Sequence, residues 1–136
     1  MPKNKIKICF FGTPDFGAPA LLGLLQDNDF EVVCVVAQPD KKTGRKQILT
    51  PPPIKTIALK YNIPVFQPKN VNKEVEVLKK YKPDLIIVAA YAQIISEEIL
   101  NLPEYGCVNI HGSLLPKYRG ASCVQAAIIN GDKESG

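Results

Sequence analysis

The sequence predicts a doubly wound, Rossmann-like α/β fold, a mostly parallel sheet with helices on both faces. Three observations carry that expectation. Four near-continuous apolar runs, at residues 6–11, 31–37, 84–90 and 106–111, are rich in Ile, Val, Cys and Phe and do not alternate cleanly; strands covered on both faces read this way. Helical patterns separate the runs, and strands alternating with helices build right-handed βαβ units. The chain has 136 residues, 46% hydrophobic and 22% charged, which suits one globular domain and argues against disorder or a coiled coil.

The elements follow in order. After the first strand, Thr13 and Pro14 resemble an N-cap and first helical position, with a helix to residue 26. The strand at 31–37 runs into a polar stretch, 38–50, expected to be irregular. Thr50 followed by three prolines marks a second helix start, since first-turn N–H groups lack helical partners anyway. That helix carries Ile54, Ile57 and Ala58 on one face and ends near Asn62. A short strand is expected at 64–67, a third helix at 72–81, then the strand at 84–90. Ser96 with Glu97 and Glu98 opens a short fourth helix. The strand at 106–111 precedes a last helix at 121–130, stopped by Gly131. The long irregular stretches, 38–50 and 111–120, exceed the usual connection length and read as functional loops.

Apolar runs reach only about seven residues, too short to span a bilayer. The apolar stretch near the N-terminus is broken by Gly12, Pro14 and Asp15, unlike a signal peptide. Cys9, Cys34, Cys107 and Cys123 form no C-x-x-C pair and three lie in apolar runs, so they read as buried free thiols in a reducing compartment. With a single histidine, no metal site is expected. The net charge of +4 is uneven: Lys41, Lys42, Arg45, Lys46, Lys55 and Lys60 fall in one stretch that holds no acidic residue. Such a patch suits a phosphate-bearing partner, or a solvated loop and helix face.

Ligands of open α/β sheets bind beyond the carboxyl ends of the strands. Residues 12–15, 38–45, 91–93 and 109–120 occupy that edge. The first turn, GTPDF, has proline where a phosphate-cradling glycine would stand, and neither a P-loop nor GxGxxG is present, which disfavours ATP and nicotinamide dinucleotide chemistry. The sharpest constellation is VNIHGSLLPKYRGAS, residues 108–122. Asn109 and His111 are two apart, so strand alternation puts them on one side. An amide donor beside an imidazole suits a reaction through an oxyanion, one holding charge and the other moving protons. On the residues alone, a histidine that merely caps the strand end remains the alternative. Leu114, Leu115 and Pro116 supply an apolar wall suited to a flat heterocycle, while Lys117, Tyr118 and Arg119 read as a solvated rim.

HGSLLPKYRGAS resembles the signature of the formyltransferases that use 10-formyltetrahydrofolate, a string shared with amino-sugar formyltransferases. FFGTPDF, VVAQPDKKTGRK, LTPPPIK and VAAYAQII narrow the resemblance to the methionyl-tRNA branch of that family, over residues 5–136. The resemblance implies transfer of a formyl group from 10-formyltetrahydrofolate to the amino group of methionyl-tRNA. Asn109 and His111 would be catalytic. Ser113, Leu114, Leu115 and Pro116 would bind the folate, with Tyr91, Ala92, Gln93 and Ile94 walling its pterin pocket. Lys41 and Arg45 would grip the tRNA acceptor arm. The implied partners are initiator methionyl-tRNA and the folate, with no membrane and no DNA, in the cytoplasm or an organelle matrix of bacterial type. Two departures are Ala92, where the family usually has glycine, and Cys123, where proline is common. The family also carries an essential aspartate and a tRNA-assisting C-terminal domain beyond the stretch matched here. Residues 1–136 are therefore expected to form an N-terminal folate-binding domain, incomplete at its C-terminal end and inactive alone. The rival expectations are an amino-sugar formyltransferase and a non-catalytic folate- or RNA-binding module.

Overall fold

A computed structural model describes residues 3–136. The strands are β1 (Ile6–Gly12), β2 (Phe30–Val36), β3 (Lys41–Thr43), β4 (Ile48–Thr50), β5 (Val65–Phe66), β6 (Leu85–Ala89) and β7 (Cys107–Asn109). The helices are α1 (Ala18–Gln26), α2 (Pro53–Lys60), α3 (Val75–Tyr81), α4 (Glu97–Leu100) and α5 (Cys123–Ile129). Five strands form one sheet in the order β5-β2-β1-β6-β7, every pairing parallel. The architecture expected from the apolar runs is the one observed.

Alternation along the central strands explains why those runs are continuous. Cys9 and Phe11 of β1, Cys34 and Val36 of β2, and Ile86 of β6 face one layer with Val75 and Leu78 of α3 and Ile99 of α4. Phe10, Val35 and Ala89, on the same three strands, face the other layer with Leu21 of α1 and Ile54 and Ala58 of α2. A strand buried on both faces has no polar position to show. Cys9 and Cys34 are register partners on β1 and β2, and all four cysteines are free. Hydrogen bonding to Cys34 and burial push the Cys9 thiol far up, so it stays a neutral core residue. Among the described residues, no helix is long and apolar enough to cross a membrane.

Local starts differ from the sequence expectations in four places. Thr13 does not cap α1: a 3₁₀ turn at Asp15–Gly17 comes first and α1 opens at Ala18. The Thr13 hydroxyl is used in tertiary bonding instead. Residues 38–50 are not irregular: β3 and β4 pair antiparallel, Lys41 opposite Thr50, around a turn with Gly44 at φ 71. Thr50 therefore ends β4, and α2 begins at Pro53. The Ile54 N–H, an orphan of the first helical turn, donates to the Thr13 carbonyl (3.4 Å). The 72–81 helix is split into a 3₁₀ turn at Val71–Lys73 and α3, because Asn70 caps the turn by accepting from Asn72 N–H. Ser96 caps α4 as expected, accepting from Ile99 N–H (3.4 Å).

Candidate functional site

The strand order reverses between β1 and β6, and the crevice at such a switch point opens at the carboxyl ends of those strands. The first turn closes tightly there. A Cβ on Gly12 would meet Phe10 Cε1 at 3.0 Å and the Ala89 carbonyl at 3.1 Å, and one on Gly17 would meet Ala89 Cβ at 2.9 Å. Gly12 lets β1 lie close to β6, and Gly17 lets the 3₁₀ turn that follows rest on Ala89 and Phe10.

Thr13 is the hub of a polar network that the sequence did not disclose. Its hydroxyl donates to the Tyr91 carbonyl (3.1 Å) and accepts from Gln38 N–H (3.4 Å). The Gln38 amide donates to the Ala92 carbonyl (3.1 Å) and accepts from Gln93 Nε2 (3.0 Å). Gln67 Nε2 donates to the Gln38 carbonyl (3.1 Å) and to Asp40 Oδ1 (2.6 Å). Lys55 Nζ reaches both Asp40 oxygens at 3.0 Å. The Gln67 amide first, and then Lys55, hold the Asp40 carboxyl below its usual range. The network joins the ends of β1, β2, β5 and β6 and anchors the foot of the hairpin. Its partners lie 15 to 78 residues apart in the chain, so spacing carries no sign of it.

The segment after β6 holds the four residues expected in a pocket wall, and they differ in kind. The Tyr91 side chain is in the core, 2% exposed and edge-on to Phe11 with centroids 5.1 Å apart. Only its backbone reaches the carboxyl edge. Burial pushes the Tyr91 phenol up to about 12. Both ends of the Gln93 amide are occupied, Oε1 by Val71 N–H and Nε2 by Gln38 and Pro68. Ala92 is exposed, and its φ of 71 is a left-handed conformation that favours glycine. The glycine that the resemblance implies at this position would suit that backbone conformation, in which the Ala92 methyl is strained. Ile94 is 90% exposed, while its carbonyl accepts from Asn72 Nδ2 (2.8 Å). The result is a strapped loop with an apolar side chain presented outward.

Beside it, β7 ends at Asn109, two residues short of the expected strand, although Ile110 N–H still donates to the Val88 carbonyl (2.8 Å). Ile110 packs into the α1/α2 layer, so alternation turns Asn109 and His111 to the other side. Asn109 is exposed and His111 half-buried. His111 Nε2 lies 2.8 Å from the Tyr118 carbonyl. Ser113 is buried, and its hydroxyl donates to the Lys117 carbonyl (2.7 Å), closing the 113–117 turn with a cis Leu115–Pro116 bond. Leu114 and Leu115 stay outside at 52% and 62% exposure. They flank a recess of about 240 Å³ shared with Pro116, Tyr118 and Asp132. A larger groove of about 520 Å³ lies at the opposite, amino end of β6, lined by Lys82, Asp84 and Glu104; the strand polarity argues against it as the reaction site.

The structure therefore brings Asn109, His111, the 113–116 turn and the 91–94 loop to neighbouring strand ends. Lys41 and Arg45 sit apart, on the exposed hairpin after β2. Lys42 and Lys46 are exposed with them, and the nearby Asp40 is already neutralised by Lys55. Among the described residues, no group of His, Cys, Asp and Glu is placed to hold a metal.

A parallel sheet in this order, with an amide and an imidazole at its carboxyl edge, defines a class, and the chain belongs to it: the formyl transferase family, whose model matches residues 4–136. Curated relatives of this chain include methionyl-tRNA formyltransferases. The protein of that name from Caldicellulosiruptor saccharolyticus is 52% identical over 132 residues, 95% of this chain and 42% of the relative. That from Bacillus subtilis is 49% identical over 132 residues, 96% of this chain and 41% of the relative. The chain thus spans about two-fifths of the length of these relatives. Among solved structures, glycinamide ribonucleotide transformylase 1 from Geobacillus kaustophilus superposes with a TM-score of 0.72 at 25% identity, covering 98% of this chain and 72% of that one.

Proposed function

We propose that residues 4–136 are the formyl-donor-binding part of a methionyl-tRNA formyltransferase, working in the cytoplasm or in an organelle matrix of bacterial type. The observation that carries this reading is the placement of Asn109 and His111 at the end of β7, beside the strapped 91–94 loop. The relatives' names supply methionyl-tRNA and the formyl group; 10-formyltetrahydrofolate as the donor, and the initiator species of the tRNA, are what the sequence resemblance implies. Ile94, Leu114, Leu115 and Pro116 offer apolar surface to a pterin, and Ser113 holds their turn in shape. Tyr91, Ala92 and Gln93 contribute backbone and support, since the Tyr91 ring and the Gln93 amide are committed inward.

In the reaction, the free amine of methionyl-tRNA adds to the formyl carbon, and the carbonyl electrons move onto oxygen. The Asn109 amide N–H donates to that oxyanion, where a preorganised donor is most effective. His111 takes a proton from the attacking nitrogen and delivers one to the folate nitrogen that leaves, so the formyl group changes nitrogen with no net redox change. Lys41 and Arg45 hold acceptor-arm phosphates.

The test is Asn109→Ala in a chain extended to the length of its relatives. Loss of one oxyanion donor should lower kcat roughly 10²- to 10³-fold, with folate Kd changed by no more than about twofold. A near-normal kcat removes Asn109 from the reaction. The 136 residues alone, at two-fifths of the relatives' length, should show no single turnover. Formylation by that chain would instead make it a sufficient catalyst.

A further inference from the structure

Among the described residues, the imidazole of His111 makes one hydrogen bond, from Nε2 to the Tyr118 carbonyl at 2.8 Å. A carbonyl oxygen only accepts, so Nε2 must carry the hydrogen there. Tyr118 stands at φ 53, a left-handed conformation that a tyrosine holds only when tertiary contacts impose it. One such contact is visible: the Tyr118 hydroxyl donates to Asp132 Oδ2 at 2.6 Å, and this bond holds the phenol protonated above its usual range. Asp132 is itself placed by the end of α5, its N–H donating to the Ala127 carbonyl (3.0 Å) just after Gly131 at φ 69. The loop also rests on α5 directly, since a Cβ on Gly112 would meet Val124 Cγ2 at 3.0 Å and Cys123 Sγ at 3.4 Å.

We propose that Tyr118 and Asp132 are positioning residues for His111: Asp132 fixes the tyrosine, the tyrosine carbonyl fixes the ring as the Nε2–H tautomer, and Nδ1 is left as the atom that takes and returns the proton. This deepens the reading of His111 as the proton-handling group and rests on it. The geometry also gives the end of α5 a part in the site, through the placement of Asp132.

His111 is the only histidine in the chain, so histidine labelled with ¹⁵N gives one pair of ring signals and needs no assignment. At about pH 8.5, above the ordinary titration of imidazole, the 136-residue chain should show a protonated-type Nε2 and an unprotonated-type Nδ1. Its Nε2–H should exchange slowly with water. Tyr118→Phe keeps the ring and removes the hydroxyl, and Asp132→Ala removes the acceptor. Each should speed Nε2–H exchange at least about tenfold, the scale of a lost hydrogen bond to a charged group. Asp132→Asn retains an acceptor oxygen and should recover part of the protection. A protonated-type Nδ1 in the unsubstituted chain overturns the proposal with no variant needed. So does unchanged exchange in Tyr118→Phe and Asp132→Ala when the backbone amide spectrum shows both folded. These readouts do not depend on turnover. A normal kcat for Asn109→Ala would overturn the functional reading while leaving the tautomer result standing, and the converse holds as well.

Discussion

Replacing Tyr91 by phenylalanine should stabilise this protein, and by an amount that grows with pH. The side chain is 2% exposed and its hydroxyl has no hydrogen-bond partner among the described residues. A buried hydroxyl without a partner costs about 1–3 kcal/mol relative to water. Phenylalanine keeps the edge-on contact with Phe11, at 5.1 Å and 74°, and removes only the oxygen. Near pH 8 the variant should therefore gain about 1–2 kcal/mol, a visible fraction of the 5–15 kcal/mol typical of a domain. The alkaline side adds a second effect. Burial raises the folded phenol to about 12, against roughly 10 in the unfolded chain. The unfolded state gives up its proton first, so this contribution is complete below about pH 10 and is lost as pH rises through about 12. Two units at about 1.4 kcal/mol each make nearly 3 kcal/mol in total, of which about half is gone by pH 11. The variant lacks this loss, so the stability difference should widen by about 1.4 kcal/mol between pH 8 and 11. Urea unfolding of both chains at the two pH values measures it, and the remaining titrating groups cancel in the difference. A variant less stable by 1 kcal/mol or more at pH 8 would refute the unpartnered hydroxyl, and a difference independent of pH would refute its burial.

Ala92→Gly should raise stability by about 0.5–1 kcal/mol, because relief of the left-handed φ of 71 exceeds the chain entropy that glycine adds; a drop in the urea midpoint would show that the methyl is needed. Asp40→Asn should remove an acid-side loosening of the hairpin. The Asp40 carboxyl is held below its usual range by Gln67 and Lys55, so its contribution is present above about pH 4 and lost as pH falls through the depressed value. Hydrogen exchange of the 41–50 amides at about pH 3 and pH 6 reads this, and equal acid sensitivity in variant and parent would exclude Asp40 as the anchor. Lys41→Ala with Arg45→Ala, in the extended chain, should raise the KM for methionyl-tRNA and flatten its salt dependence, since phosphate contacts release counterions. An equal rise in the KM for folate would point to a folding defect.

Much of this protein was legible in its sequence, for a local reason. The core strands are apolar at all but their opening residues, Lys7 and Glu31, because both faces are covered beyond those points, so β1, β2 and β6 announce themselves without any knowledge of their partners. Ser96, Glu97 and Glu98 state the start of α4 within a single turn. Asn109 and His111 are two residues apart, so their common side follows from strand geometry. The basic stretch around Lys41 and Arg45 is a matter of counting. What only the tertiary structure decided depends on residues that are distant in the chain. Thr13 reads as a helix cap, yet its hydroxyl goes to Tyr91 and Gln38, because the switch point brings three strand ends together. The hairpin at 41–50 has no apolar face to announce it and is tied down at its foot, through Asp40 to Lys55 and Gln67. Tyr91 lies in a stretch that looks like a pocket wall, but its ring turns into the core while Ile94 turns out. A side chain's direction at a strand end is set by what the neighbouring strand leaves unfilled, and one segment of sequence does not hold that information. The same holds for His111, whose proton is placed by a carbonyl seven residues on and a carboxylate beyond α5.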